Sequence, residues 1–137
     1  MTLSRALIIA EAGVNHNGSL EKAFELIDAA VYAGADIIKF QTFDSLFLAS
    51  KSAMQARYQS KNIGFSQSQR DMLQSLELPK SCYSQLVSYC QDRGLEFLSS
   101  AFDFPSIDFL SQLGMKRWKI PSGEITNLPY LRKVSSF

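Results

Sequence analysis

The chain has one histidine, His16, and two cysteines, Cys82 and Cys90, among its 137 residues. With no closely spaced cysteine pair, that scarcity leaves no metal-binding signature. The two cysteines fall eight positions apart in one helical-looking segment. At about 1.5 Å rise per residue they stand roughly 12 Å from each other, too far for a mutual disulfide. They read as reduced thiols of a cytoplasmic protein. Excess charge is also missing. Fourteen Lys and Arg against 13 Asp and Glu leave a net charge of +1, and no basic run or basic–aromatic interleaving suggests a nucleic-acid partner. No apolar stretch approaches the ~20 residues that span a bilayer. The opening "MTLSRALIIAEAG" has one basic residue and an apolar run broken by Glu11, which makes a poor secretory signal. Nor is there a Gly-x-Gly-x-x-Gly fingerprint, which weakens a dinucleotide-binding reading.

What is present is the composition of one globular domain, 46% hydrophobic and 20% charged, long enough for a real core and too short for two. Strand-like and helix-like segments alternate. "ALIIAEAGV" (6–14) reads as a strand running into the turn "NHNGS". Ser19 is placed to cap a helix whose apolar residues Leu20, Ala23, Phe24, Ile27, Ala30 and Val31 fall on one face, with Gly34 to end it. "ADIIKFQ" is the second strand, "LEFLSS" (95–100) the third and "RWKIP" (117–121) the fourth. Helices are expected near 67–76 and 80–93, from Asp103 and Pro105 to Gly114, and from Asn127 and Pro129 onward. The polar stretch 44–70 has no clean period and is long for a βα connection. This order predicts an α/β fold with a parallel sheet covered by helices. It fits either a small doubly wound sheet or half of an eight-stranded barrel.

The polar residues are positioned informatively. Glu11 ends the first strand; Lys39 and Gln41, two apart and so on one face, end the second; Ser99 and Ser100 end the third; Lys119, Ser122 and Glu124 lie at the end of the fourth. In parallel α/β folds that edge is where ligands bind. Two lysines, several hydroxyls and turn glycines on one rim suit an anion such as phosphate or carboxylate. A ligand's charge would compensate Lys39, which sits inside an otherwise apolar strand. Three other readings stand beside it: a desolvated lysine suited to Schiff-base chemistry, a snorkelling side chain, or an ion pair with Glu11. Ser99 and Ser100 also suit turns or caps, His16 a hydrogen-bonded turn, and Glu124 the satisfaction of turn amides.

Four ordered stretches, "IIAEAGVNHNGS", "GADIIKFQTF", "GLEFLSSAFDFPSIDFL" and "WKIPSGEITNLPYL", resemble the successive signatures of the N-acetylneuraminate (sialic acid) synthase family, which includes legionaminate, pseudaminate and spore-coat polysaccharide relatives. The resemblance covers nearly the whole chain, most loosely over 44–79. It implies the N-terminal (β/α)4 half of a TIM-type (β/α)8 barrel spanning residues 1–137. It also implies condensation of phosphoenolpyruvate with an N-acylated aldose to a nine-carbon 2-keto sugar acid and phosphate. By motif alignment Lys39, Ser100, Lys119 and Ser122 match positions that hold the phosphoenolpyruvate carboxylate and phosphate, and Glu11 and Gln41 match positions facing the acceptor. Glu11, Lys39 and Lys119 are thereby the expected catalytic residues, with Gln41, Ser100 and Ser122 binding substrate.

The family commonly has Thr-Pro where this chain has Ser100-Ala101, which keeps the hydroxyl and gives up the proline's stiffness. A divalent metal, Mn or Mg, is implied for the intact enzyme, its two histidine ligands lying outside these residues together with an antifreeze-like module. A barrel of this kind takes about 250 residues, so open strand edges and a homo-oligomer are expected here. A rival reading is a non-catalytic half-barrel that binds anions or serves assembly. A third is a phosphate-binding half-barrel related to aldolase-type enzymes.

Overall fold

A computed structural model describes residues 5–49 and 68–137. Most of the polar 44–70 stretch therefore lies outside the described residues. Three parallel strands, β1 (Ile9–Gly13), β2 (Ile37–Thr42) and β3 (Glu96–Ala101), form a sheet in the order β1-β2-β3. Helix α1 (Leu20–Tyr32) connects the first two. Between β2 and β3 come α2 (Ser45–Leu48), α3 (Gln69–Leu76), a 3-10 turn at Lys80–Cys82 and α4 (Tyr83–Gln91). After β3 come α5 (Phe104–Gln112), a 3-10 turn at Ser122–Glu124 and α6 (Leu128–Val134). No described helix is long and apolar enough to cross a membrane.

The helix ends follow from their cap residues. Ser19 Oγ accepts from the Lys22 amide at 3.2 Å, and Asn127 Oδ1 from that of Tyr130 at 3.2 Å. Asp103 uses both carboxylate oxygens: Oδ1 caps α5 through the Ser106 amide at 2.7 Å, and Oδ2 takes the Asp44 amide at 2.8 Å. One buried carboxylate thus ties the loop after β2 to the loop after β3. Gly34, at φ +73°, ends α1 in the left-handed conformation that side chains disfavour.

The core lies on the helix-facing side of the sheet. Ile38 and Phe40 of β2, with Phe97 and Ala101 of β3, pack in one cluster with Ala23 and Ile27 of α1, Leu86 and Cys90 of α4, and Ile107 and Leu110 of α5. Period two then puts Ile37, Lys39 and Gln41 on the opposite face. The register aligns Glu11 with Lys39, Lys39 with Leu98, and Gln41 with Ser100. Cys82 and Cys90 are free thiols, and burial pushes the Cys90 thiol up to about 12, where it stays protonated.

The sheet departs from the expected four strands. Residues 117–121 form no ladder with β3 and have no regular structure. Three cations at 116, 117 and 119 and a donorless Pro121 make this a weak candidate for an outer strand, which would gain hydrogen bonds on one side only. It is anchored differently. Arg117 Nε donates to Glu96 Oε1 at 2.9 Å, and Trp118 and Ile120 pack against the core. Lys119 is left exposed on the other side, as strand-like alternation requires. The alternation survives without the ladder.

Candidate functional site

The C-terminal ends of the strands open into a cleft of about 490 Å³. All six of the expected residues, Glu11, Lys39, Gln41, Ser100, Lys119 and Ser122, line it. Three strands and the 117–124 segment therefore deliver them to one place. Lys39 is buried at 8% exposure, and its ammonium pairs with the Glu11 carboxylate. Of the readings open for this lysine, the structure shows the ion pair with Glu11. Its cause is the strand register, which sets Glu11 beside Lys39. The pair is lopsided: the lysine side chain is 10% exposed and the glutamate 54%.

Ser100 adds a second polar group. It is 2% exposed, and its hydroxyl has no hydrogen-bond partner among the described residues. An unpaired buried hydroxyl is costly, and this one belongs to a residue lining the cleft. Its neighbour Ser99 does not join it. Ser99 Oγ lies 2.7 Å from Thr42 Oγ1, which donates to the Tyr83 hydroxyl at 3.0 Å, all within the helix-facing layer. Burial pushes the Tyr83 phenol up to about 12. Adjacent serines thus serve opposite faces, one hydrogen-bonded in the helix-facing layer and one buried in the wall of the cleft.

β1 carries an irregularity between Glu11 and Gly13 in its register with β2. Such a bulge re-aims side chains at a strand's end. Gly13 takes φ +55°, and an ideal Cβ there would lie 3.5 Å from both Gln41 Nε2 and Glu11 Oε1. The acidic residue, the amide and the bulge therefore meet at one corner of the cleft. Asn15, Phe102 and Gly123 also line it and were not among the expected residues. Their signal is position alone, each just beyond the strand-end residues already singled out. Glu124 holds the turn that follows, accepting from Asn127 Nδ2 at 2.6 Å.

His16 is a buried turn residue. Its Nδ1 accepts from the Gly18 amide at 3.0 Å, which places the neutral ring's proton on Nε2, an atom without a partner among the described residues. Desolvation lowers its pKa to about 4. The unfolded chain therefore binds an extra proton between about pH 6.5 and 4, so stability is full above pH 6.5 and falls as pH drops through this window. We expect a loss of roughly 1–3 kcal/mol from this residue between those limits. Urea titrations of the wild type and His16→Gln across pH 4–7 check it: the slope with pH should shrink in the variant, and equal slopes would refute the assignment.

The described residues include no cluster of three or more His, Cys, Asp or Glu, and His16 is committed to its turn. They do not fit a metal centre of their own.

Comparison with known proteins matches residues 26–137 to the NeuB family. The N,N'-diacetyllegionaminic acid synthase of Campylobacter jejuni is 47% identical over 133 residues, which is 97% of this chain and 40% of that protein. The synthase of the same name from Legionella pneumophila is 52% identical over 129 residues, 94% of this chain and 36% of that one. Among solved structures, the N-acetylneuraminic acid synthetase of Leptospira borgpetersenii, crystallised with citrate, superposes with a TM-score of 0.80 at 28% identity. That match covers 97% of this chain and 42% of that one. The chain spans about two fifths of the length of these relatives. With a helix-covered parallel sheet, polar strand ends gathered at one cleft, and matches over nearly its whole length to sugar acid synthases, the chain belongs to the NeuB family.

Proposed function

We propose that this chain carries the donor side of a sugar acid synthase site, in which phosphoenolpyruvate condenses with an N-acylated aldose such as N-acetylmannosamine or a relative. The observation that carries the reading is one cleft lined by Lys39, Lys119 and Ser100, whose hydroxyl has no partner among the described residues. Two ammonium groups and a desolvated hydroxyl donor suit an anion with both a carboxylate and a phosphate. Carbon 3 of the enol phosphate attacks the aldehyde carbon of the open-chain sugar; its π electrons form the new C–C bond while the aldehyde C=O π pair moves onto oxygen. Cationic character develops at carbon 2, where water adds, and the proton it gives up balances the one the new alkoxide takes to become a hydroxyl. The tetrahedral species then expels phosphate, leaving the 2-keto acid.

In this scheme the lysines orient the donor and stabilise the departing phosphate. Ser100 and Ser122 supply further donors. Glu11 and Gln41 face the acceptor, where Glu11 holds a sugar hydroxyl or orients the water. The relatives named for N,N'-diacetyllegionaminic acid refine the acceptor. Phosphoenolpyruvate brings no nitrogen, so both acetamido groups of such a product come from the sugar. A diacetamido aldose is therefore the first acceptor to try here, ahead of N-acetylmannosamine.

Calorimetric titration of phosphoenolpyruvate into the chain, beside Lys39→Met, tests the donor site. Saturable binding that weakens at least ~100-fold in the variant is expected, consistent with removing the buried partner of a desolvated charge pair. Binding by Lys39→Met within about tenfold of the wild type would sink the assignment. A second reading, an anion-binding module that serves assembly without turnover, is favoured by the exposed Leu7, Ile8 and Ile9 leading into the edge strand β1. Donor binding with no product from either acceptor in the presence of Mn²⁺, and a dimer by light scattering, would select it.

A further inference from the structure

We infer that Glu11 is the resident counter-anion of the donor site, so that it opposes the binding of the phosphate-bearing ligand whose place it holds beside Lys39. The inference rests on the donor-site reading above and goes beyond it, because it gives an acidic residue of the cleft a measurable effect on anion affinity before any sugar is present. Three observations carry it. The Lys39 ammonium is already neutralised by the Glu11 carboxylate. The partners are unequally buried, 10% against 54% exposed, so the glutamate can turn to water cheaply while the lysine cannot. The same cleft holds a hydroxyl, that of Ser100, with no partner among the described residues.

An anion entering the cleft meets a lysine that is occupied and a serine hydroxyl that has no partner among the described residues. It gains the serine's hydrogen bond outright but must exchange with Glu11 for the lysine. It must also tolerate a second negative charge nearby until that carboxylate swings away. Both effects weaken binding. Removing the carboxylate's charge abolishes the competition and leaves the ammonium short of compensation, which the ligand then supplies.

The test titrates inorganic phosphate and phosphoenolpyruvate separately into the full chain, into Glu11→Gln and into Lys39→Met. Glu11→Gln should bind both anions about tenfold more tightly than the wild type, and Lys39→Met at least ~100-fold more weakly. Melting gives an independent readout. Without anion Glu11→Gln should melt below the wild type, and saturating phosphate should raise its Tm by more than it raises that of the wild type. Should the glutamine variant not fold, Glu11→Asp, which keeps the charge but withdraws it from the ammonium, should show an intermediate gain in affinity. Binding by the wild type that weakens ~100-fold in Lys39→Met but is unchanged or weaker in Glu11→Gln would overturn the inference and leave the donor-site reading intact. No binding by any of the three would defeat both.

Discussion

Phe40→Ala should cost the fold about 3–5 kcal/mol, the usual penalty for emptying a buried aromatic site, and lower the Tm by about 10–20 °C. Phe40 is 1% exposed and sits centrally in β2, its ring 5.7 Å from Phe97 in a stacked arrangement and 6.0 Å from His16. It therefore joins the middle strand, the third strand and the turn after the first. Truncation leaves a void between elements that β-sheet hydrogen bonds hold apart, so collapse is limited and the cost falls in the upper part of the range. Phe40→Leu, which keeps most of the volume, should cost under about 1.5 kcal/mol. Because Lys39 and Gln41 flank Phe40 on the other face, the alanine variant should also weaken phosphate binding where it remains folded. Urea denaturation of the two variants measures the difference; a loss below ~1 kcal/mol for the alanine form would show that this ring is not central to the core.

The same residue explains why β2 was legible in the sequence. Ile37, Ile38 and Phe40 are apolar on both faces, the pattern of a central parallel strand, and the structure buries all three. Residues 117–121 share the in–out alternation of a strand yet form no ladder. Side-chain alternation marks which way Trp118 and Lys119 point, but strand pairing also needs backbone donors, and Pro121 and the local charge oppose it. Helix α2 was not legible: four residues capped by Asp44, whose Oδ1 accepts the Leu46 amide at 2.9 Å, carry no period.

For the site, gathering at one rim follows from parallel topology for Glu11, Lys39, Gln41 and Ser100, whereas Lys119 and Ser122 reach the cleft from a segment outside the ladder. It was the motif resemblance that separated these six from Ser99 and Glu124. The roles of individual atoms were not legible. Whether Ser99 or Ser100 faces the cleft depends on the alignment of Gln41 with Ser100. The partner of Lys39 depends on the alignment of Glu11 with Lys39. Both are relations between distant segments that no local pattern encodes. Relatives that share the strand-end motifs place the chain in a family, while the hydrogen-bonded or unpaired state of each side chain comes only from the packed arrangement.

Gly18→Ala should destabilise the fold by about 2–4 kcal/mol, more than a left-handed alanine alone accounts for. Gly18 takes φ +75°, and an ideal Cβ there would fall 2.7 Å from the Ser75 carbonyl oxygen and 3.4 Å from that of Glu77. The left-handed conformation costs alanine about 1–2 kcal/mol. The remainder comes from forcing apart two backbone segments, the turn after β1 and the end of α3, since neither obstacle is a flexible side chain. Gly34 separates the two effects. Its φ is +73°, yet nothing lies within 4 Å of its ideal Cβ, so Gly34→Ala should pay the conformational part alone, about 1 kcal/mol. A gap of at least ~1 kcal/mol between the two variants in urea denaturation is the expected result, and equal losses would mean that the Gly18 turn moves freely away from α3. The displacement should also reach the cleft. The Gly18 amide holds His16 Nδ1, and the pushed segment includes Glu77, whose carboxylate accepts the amide of Ser45, the first residue of α2 in the connection after β2, at 2.6 Å. Both loops flank strands whose ends line the cleft, so Gly18→Ala should weaken phosphate binding while Gly34→Ala, on the opposite end of α1, should leave it unchanged.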